Sequence, residues 1–326
     1  MPDQGRADTV PAPASDVGAG TSASTAARHR YSLLTRRDKL ILTLMVGIPT
    51  ILDLVFIWAP TIASIGLSFT NWRGIGAITA HNWVGLNNYT YLFTQYLFFW
   101  PAVEHNLIWL LFFVFIATPL GMFLAVLLDR DIRGSAIYQN AFFLPVVLSL
   151  AVIGFIWELQ YSPGSSGLID SLLGRTSQTN AIDWLGTPGL NLWAVLVAAS
   201  WRQVGYIMIL YLAGLKSVDP TLREAAAIDG ANERQTFFHV VFPVMAPINT
   251  VILVVTVIES LRAFDIAYII NHGKNGLELL STLITNNSIS EANLIGFGSS
   301  IAVVLLVISL GPIILYLTRV FREDQA

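Results

Sequence analysis

The chain has 326 residues, of which 54% are hydrophobic and only 12% are charged, and its formal net charge is -3. An ordinary soluble domain carries about 25% charged residues, so a chain this apolar cannot cover itself with polar surface and is predicted to lie in lipid. The net negative charge argues against nucleic acid as a partner. Cysteine is absent, which excludes disulfides, thiolate metal sites and cysteine nucleophiles.

The first 35 residues differ in composition from the rest of the chain. Residues 1–27 are rich in Ala, Ser, Thr, Gly, Pro and Asp, so they cannot bury enough apolar surface to offset their ordering entropy. We predict a disordered cytoplasmic tail over residues 1–35. A secretory signal peptide is the alternative, but the apolar run at 40–60 exceeds the about 7–15 residues of a signal sequence, and no clear cleavage site follows.

Six stretches are long and apolar enough to cross a bilayer, whose core of about 30 Å needs about 20 helical residues. Backbone groups in lipid must be satisfied within the segment, and the alternating pattern of a membrane barrel is missing, so we expect helices. The predicted spans cover residues 40–69, 107–128, 136–157, 190–215, 244–270 and 292–318. The charged residues inside them are Asp53, Arg202, Glu259, Arg262 and Asp265.

The basic residues predict the orientation of these spans, because cytoplasmic segments carry an excess of Lys and Arg. With a cytoplasmic N-terminus, 13 basic residues fall inside and 3 fall outside. The inner residues are Arg6, Arg28, Arg30, Arg36, Arg37, Lys39, Arg130, Arg133, Lys216, Arg223, Arg234, Arg319 and Arg322, and the outer ones are Arg73, Arg175 and Lys274. Both termini are therefore predicted to be cytoplasmic.

The connection between the fourth and fifth spans, residues 216–247, has the pattern of a helix, a turn and a second helix. Asp219 is a suitable N-cap and Pro220 a suitable first-turn residue. Gly230 would weaken a helix by about 1 kcal/mol relative to Ala, which indicates a turn there. The apolar faces of the two helices are Leu222, Ala225 and Ala226, then Phe237, Phe238, Val241 and Phe242. From periodicity alone, an amphipathic connector on the membrane surface is the favoured interpretation.

The order of residues in this connection points to a known family. Glu224-Ala225-Ala226, then Asp229-Gly230-Ala231, then Phe238, Val241, Phe242-Pro243 and Pro247 closely resemble the EAA loop of ABC importer permeases. We call residues 216–247 the EAA loop. The resemblance implies that it contains a coupling helix, which docks in a cleft of an ATPase subunit. It assigns that coupling to Glu224, Ala225, Ala226, Asp229, Gly230 and Ala231.

Other stretches resemble the sugar-transporting branch of that family, in particular its maltose-type leading permeases. They are Ser68-Phe69-Thr70-Asn71-Trp72, Val84-Gly85-Leu86-Asn87-Asn88-Tyr89, Phe142-Phe143-Leu144-Pro145, Ala213-Gly214-Leu215 and Leu261-Arg262-Ala263-Phe264-Asp265. The resemblance implies an all-α polytopic transmembrane bundle of the type I importer fold, with a permease domain over residues 36–326. The branch often has a Gly-Gly-Pro turn after the fifth span. This chain has Asn271-His272-Gly273-Lys274-Asn275-Gly276 instead, and Asp53 is also unusual.

The resemblance also implies partners and a location. The chain would be a permease subunit in a bacterial cell membrane, paired with a second permease, a cytoplasmic ATP-binding subunit dimer and an extracytoplasmic solute-binding lipoprotein. The solute is expected to be a carbohydrate. Around Gly273-Lys274 a phosphate loop would need glycine at Tyr268 and Ser or Thr at Asn275. We therefore expect no nucleotide cofactor in this chain, with ATP used by the partner. The five histidines are scattered without the spacing of metal ligands, and no nucleophile–base pattern is readable, so we also expect no metal and no enzyme activity.

The charges of the fifth predicted span are spaced three residues apart. Glu259, Arg262 and Asp265 would stack on one face of a helix and pair as a ladder, with Arg202 and Tyr206 of the fourth span as companions. Such a face either borders a polar translocation path or locks the helices together, and the residues leave both interpretations open. A secondary transporter using Glu259 and Asp265 as proton carriers and a scaffold or sensor component are the alternatives to an ATP-driven importer.

Overall fold

The computed structural model describes residues 35–130, 133–177, 179–290 and 293–323. Apart from Thr35, the predicted tail lies outside these residues. The helices in chain order are α1 Arg36–Asp53, α2 Ala59–Leu67, α3 Asn87–Thr94, α4 Phe99–Phe112, α5 Thr118–Leu128, α6 Ser135–Val147, α7 Leu150–Gln160, α8 Leu168–Leu172, α9 Asn191–Ser217, α10 Pro220–Ile228, α11 Glu233–Thr236, α12 Phe242–Val244, α13 Ala246–Leu261, α14 Asp265–Asn271, α15 Leu280–Thr285 and α16 Ile295–Glu323. Four π-helical segments accompany them, at Leu54–Trp58, Phe113–Ala117, Phe237–Val241 and Asn286–Ser290.

Within the described ranges, four continuous helices are long and apolar enough to cross a membrane. They are Arg37–Leu67, Phe99–Leu128, Asn191–Ser217 and Ile295–Ile314. Two further segments pass the same test only as bent pairs, Ser135–Val147 with Leu150–Gln160 and Glu233–Val244 with Ala246–Asn271. If each bent pair is one span, the described residues contain up to six spans.

The chain divides into two compact units, Met1–Pro60 and Thr61–Ala326. In the described part of the first unit, α1 begins with a capping box, in which the Thr35 hydroxyl accepts from the Asp38 backbone N–H at 3.2 Å. The large apolar side chains of α1 and of the π-helical segment Leu54–Trp58 are exposed, with Met45 at 68% and Phe56 at 71%. Exposed side chains of this kind are suited to contact with lipid or another apolar partner.

The third predicted span is not one straight helix, so the expectation of a single helix over 136–157 is corrected. α6 ends at Val147 and α7 begins at Leu150, with a bend of 102° between them. The backbone of Leu148 is extended, and the Ser149 hydroxyl accepts from the N–H of Val152 at 3.3 Å. Ser149 therefore starts a new helix as its N-cap, a local signal that hydropathy does not reveal.

The second unit is built around α9, which packs against α5 and α6. Small residues let the backbones approach, as is common between membrane helices. A Cβ on Gly121 of α5 would lie 2.7 Å from Cγ2 of Ile207, and one on Gly205 of α9 would collide with the carbonyl oxygen of Phe142. α9 is thus held between its neighbours, which fixes the position of Arg202 in the middle of the helix.

Candidate functional site

The EAA loop begins with a helix that has the predicted boundaries. The Asp219 carboxylate accepts from the backbone N–H of Thr221 at 2.9 Å, and Pro220 is the first residue of α10. This N–H bond lowers the pKa of Asp219 from its usual value. The predicted N-cap and first-turn proline are confirmed.

The predicted turn at Gly230 is confirmed, and its geometry is that of a Schellman motif. Gly230 has φ +81°. The N–H of Ala231 donates to the carbonyl of Ala226 at 2.9 Å, and the N–H of Gly230 donates to that of Ala227 at 3.1 Å. These two bonds satisfy the last carbonyls of α10 and turn the chain into the second part of the loop.

The second part of the loop differs from the regular helix expected there. Asn232 and Gln235 form a capping box at the start of α11, with bonds of 3.0 and 2.9 Å. The chain then becomes π-helical over Phe237–Val241. Pro243 has no backbone N–H to donate to the preceding turn, and π-helical turns commonly lie at functional sites. Periodicity alone did not predict this segment.

The predicted docking residues differ in exposure. Glu224, Ala225, Asp229 and Gly230 are exposed, whereas Ala226 is only 7% exposed. Of the two alanines, Ala225 therefore presents its side chain to the surface and Ala226 does not. Because the Schellman turn folds the following residues back over the helix, Ala226 is covered by this chain itself. Ala231 is half-buried beside the turn.

The structure brings four of the five charged residues of the predicted spans together around one cavity of about 60 Å³. Arg202, Glu259, Arg262 and Asp265 all line it, but Tyr206 does not. We call it the charged cavity. Its remaining lining residues are Trp109, Phe113, Leu150, Ala199, Gln203, Ala263, Phe264 and Ile266. The sequence pattern did not assign Trp109 to this site, because a helix distant in sequence brings it there, whereas Gln203 directly follows Arg202 on α9.

The predicted ladder on one helical face is wrong. α13 ends at Leu261, Arg262 caps it, and a new helix begins at Asp265, so the i, i+3 spacing no longer stacks these side chains. The hydroxyl of Ser281 donates to the carbonyl of Ala263, which gives this interrupted backbone a partner outside the helix. Glu259 instead faces Arg202 of α9, with 4.0 Å between Oε2 and Nη1.

The charged cavity contains donors that have no partner among the described residues. They are Nε1 of Trp109, Nε of Arg202 and Nε2 of Gln203. Trp109 is 1% exposed and Gln203 is 2% exposed, so water outside the protein does not reach most of either side chain. Buried donors left unpaired cost free energy. All three residues line the charged cavity.

Comparisons with known proteins identify the relatives of this chain. The family described as "Binding-protein-dependent transport system inner membrane component" matches residues 117–324. The chain is 32% identical over 280 residues to the xylose/arabinose import permease protein XacH of Haloferax volcanii, covering 85% of this chain and 87% of that protein. It is 30% identical over 274 residues to the trehalose/maltose transport system permease protein MalF of Thermococcus litoralis, covering 83% and 90%.

A solved structure shows the same fold. The match is to a bacterial alginate ABC transporter in complex with alginate pentasaccharide-bound periplasmic protein, with a TM-score of 0.70 and 21% identity over 89% of this chain and 96% of that chain. The predicted all-α polytopic bundle of the type I importer fold is confirmed. A secondary transporter and a scaffold are no longer needed as alternatives. The chain belongs to the family of binding-protein-dependent transport system inner membrane components, the membrane-embedded permease subunits of ABC importers.

Proposed function

We propose that this chain forms half of the route by which a carbohydrate crosses the membrane, and that a second, similar permease forms the other half. The relatives are named for xylose/arabinose and trehalose/maltose transport. The structural neighbour was solved with a sugar-bound periplasmic protein. These names support a carbohydrate as solute and an extracytoplasmic solute-binding protein as the partner that delivers it.

The chemistry of the charged cavity is the observation that carries this proposal. A sugar hydroxyl both donates and accepts hydrogen bonds, so it pairs with N–H donors and with carboxylates. The cavity offers the unpartnered donors of Trp109, Arg202 and Gln203 and the carboxylates of Glu259 and Asp265. A mostly apolar wall with a few convergent polar groups is typical of small-molecule sites.

The volume of the cavity adds a requirement for movement. At about 60 Å³ it has room for water molecules and not for a sugar ring. In this proposal, the helices that line the cavity move apart when the sugar passes. We assign that movement to the ATP-binding subunits, because alternating access in importers needs an energy source and this chain has no phosphate loop.

The EAA loop supports the assignment of the energy source. Its exposed residues Glu224, Ala225, Asp229 and Gly230 lie on a capped helix and its Schellman turn, a rigid unit that a cleft on another subunit can receive. We propose that a cytoplasmic ATP-binding dimer docks here, which places both chain termini in the cytoplasm. ATP is used by that dimer, and this chain binds no cofactor.

A ligand screen followed by an uptake measurement tests the proposal. The solute-binding protein of the same transport system would be screened by thermal shift against monosaccharides, oligosaccharides, glycerol phosphate and amino acids. The assembled importer, in vesicles containing ATP, should then take up the stabilising sugar. Gln203→Leu should lower uptake about tenfold, since one lost hydrogen bond is worth about 1 kcal/mol or more.

Gln95→Leu provides the matched control, because Gln95 is exposed and does not line the charged cavity. It should transport like the unmodified chain. A binding protein that recognises only solutes other than sugars would overturn the carbohydrate assignment. Unchanged uptake in Gln203→Leu would remove this cavity from the translocation route.

A further inference from the structure

Each of the first two helices of the EAA loop forms an ion pair with one of two adjacent residues at the end of α5. Nη1 of Arg223, on α10, lies 3.0 Å from Oδ2 of Asp129. Oε2 of Glu233, on α11, lies 2.6 Å from Nη2 of Arg130. Asp129 and Arg130 directly follow α5, so two adjacent residues of opposite charge pair with the two successive helices of the loop.

The two ion pairs differ in burial and in connectivity. In the first pair the Asp129 side chain is 15% exposed and that of Arg223 is 40% exposed. In the second pair Arg130 is 60% exposed and Glu233 is 83% exposed. Exposed pairs contribute little because water and salt screen them. We therefore expect the Arg223 pair to hold the loop in place and the Glu233 pair to add almost nothing.

Arg223 also reaches a third element. Its Nη2 donates to the carbonyl of Leu215, in the last turn of α9, at 3.3 Å. One guanidinium thus bridges the end of α5, the end of α9 and the first helix of the loop. Arginine is suited to this because its planar head presents several donors in a fixed geometry.

The space around this bridge is not closely packed. A cavity of about 310 Å³ lies between the loop and α5. Its lining residues are Val126, Asp129, Arg130, Leu215, Arg223, Ala227, Ala231, Glu233, Thr236, Phe237 and Val241. Val241 and Phe237, in the second part of the loop, share an apolar cluster with Ala125 and Leu128 of α5. Among the described residues that cluster includes none from α10, so the Arg223–Asp129 pair provides the connection of α10 to the end of α5.

The helix that receives this connection continues to the charged cavity. α4, the π-helical segment Phe113–Ala117 and α5 form one continuous apolar helix, Phe99–Leu128. Trp109 and Phe113 on this helix line the charged cavity, and Asp129 follows its other end. At about 1.5 Å per residue, roughly 30 Å of helix separates Trp109 from Asp129.

We propose that Arg223 and Asp129 are positioning residues that fix the EAA loop to the end of the helix Phe99–Leu128, so that a displacement of the loop moves this helix and the wall of the charged cavity. The inference rests on the proposed function of the loop. It adds a second connection beside the direct chain links of the loop to α9 and α13. A rigid helix with a bridged end can carry such a displacement.

A distance measurement between two spin labels tests this proposal, and the absence of cysteine allows labels at single engineered sites. Ile228→Cys, at an 87% exposed residue of α10, and Leu127→Cys, at a 42% exposed residue of α5, carry the two labels. The permease is studied in lipid nanodiscs with its ATP-binding subunits, without nucleotide and with ADP and vanadate. With Arg223 and Asp129 intact, we expect one distance that stays the same in both states.

Arg223→Ala should release the loop from the helix. The distribution of distances should become about twofold wider or more, and the mean distance should then change when ADP and vanadate are added. The exchanged pair Arg223→Asp with Asp129→Arg should restore a single, nucleotide-independent distance, which a general loss of packing would not allow. Glu233→Ala is the matched control and should behave like the unmodified chain.

Three outcomes would overturn the proposal: an unchanged distance in Arg223→Ala, equal effects of Arg223→Ala and Glu233→Ala, or no restoration in the exchanged pair. If Arg223→Ala fails to assemble, the exchanged pair is measured on its own against the same expectation. Failure of the coupling assignment is separate and is detected with Glu224→Lys. That variant should lose the ATP-binding subunits in a pull-down, whereas Arg223→Ala should retain them.

Discussion

Arg202 and Glu259 face each other across α9 and α13, the two helices that the EAA loop connects. Nη1 of Arg202 on α9 lies 4.0 Å from Oε2 of Glu259 on α13, and the two side chains are 26% and 37% exposed. A pair at this separation and exposure gives little stability. At this separation the guanidinium of Arg202 and the carboxylate of Glu259 can each form a hydrogen bond with another polar group. Of the two interpretations of these charges, the geometry therefore favours a polar route over a structural lock.

Glu259→Gln should lower solute uptake about tenfold, because the substitution keeps the shape of the side chain and removes a charged acceptor, whose hydrogen bonds are worth about 1.5–3 kcal/mol. The amount of assembled importer should not change. Uptake into vesicles and the yield of co-purified subunits are the two measurements. Glu158→Gln, at an exposed residue of α7, is the control. A lower yield of complex in Glu259→Gln would instead support the structural lock.

Asp170 should make the segment between α7 and α9 sensitive to acid. Its buried carboxylate accepts from the N–H groups of Gly164 at 2.8 Å and Ile182 at 3.0 Å, and from Nε1 of Trp184 at 2.9 Å. These hydrogen bonds lower the pKa of Asp170, and the bond from the N–H of Gly164 has the largest effect. Because the folded pKa lies below the unfolded value of about 3.9, the stabilisation is present above that value and is lost as pH falls through the folded pKa.

Asp170→Asn should therefore increase the rate of proteolysis of this segment at pH 7. It should also remove most of the pH dependence that this rate shows below about pH 4. Protease protection of the purified permease, followed by mass spectrometry, measures both effects. Asp183→Asn is the comparison, since Asp183 lies in the same segment and accepts from the backbone N–H of Gly186. Equal acid sensitivity in the unmodified chain and in Asp170→Asn would contradict the role given to Asp170.

Gly230→Val should loosen the turn of the EAA loop. The residue has φ +81°, and an added Cβ would meet nothing within 4 Å, so the cost comes from the backbone conformation alone. For a β-branched residue this cost is about 1–2 kcal/mol. Gly230→Asn should behave more like the glycine, because Asn tolerates positive φ. Hydrogen exchange of the loop amides is the measurement, and equal protection in both variants would contradict the explanation.

The sequence predicted those features of the site that depend on neighbouring residues. Asp219, Pro220 and Gly230 act within one turn of their own positions, so their roles follow from local rules. The interruption of the helix after Leu261 could not be predicted from local rules, because it involves Ser281, whose hydroxyl donates to the carbonyl of Ala263, 18 residues away. The bridge from Arg223 to Asp129 joins residues 94 positions apart, and no periodicity reports such a contact.

Hydropathy likewise predicted apolar segments but not their shapes. The third segment is bent by 102° and the pair Glu233–Val244 with Ala246–Asn271 is bent by 74°. An average over about 20 residues does not detect a cap such as Ser149 within an apolar run. The same average placed Glu259, Arg262 and Asp265 in one span. All three line the charged cavity, but the helix is interrupted between Leu261 and Asp265.

Cysteine labelling tests the predicted orientation of the spans. The chain has no cysteine, so a single introduced thiol reports its own side of the membrane. Ile228→Cys, 87% exposed on α10, should react with an impermeant maleimide only from the cytoplasm, and Leu172→Cys, 77% exposed at the end of α8, only from outside. The basis is the excess of Lys and Arg in the segments assigned to the cytoplasm. Reversed labelling at either residue would overturn the orientation and the docking side of the EAA loop.

Two adjacent alanines of α10 should respond differently to the same substitution, which separates docking from the stability of the loop. Ala225 is exposed, so Ala225→Trp should leave the loop folded and obstruct the cleft of the ATP-binding subunit. Ala226 is 7% exposed, so Ala226→Trp should overpack the loop itself, at a cost of about 1–3 kcal/mol.

Pull-down of the ATP-binding subunits and protease protection of the EAA loop distinguish these effects. Ala225→Trp should reduce the pull-down about tenfold with normal protection, whereas Ala226→Trp should reduce both. Ala225→Ser, a small polar residue, is the control and should bind normally. If Ala225→Trp retained full binding while Ala226→Trp lost it, the docking surface would lie on another face of α10. Full binding in both variants would place the contact with the ATP-binding subunits outside the EAA loop.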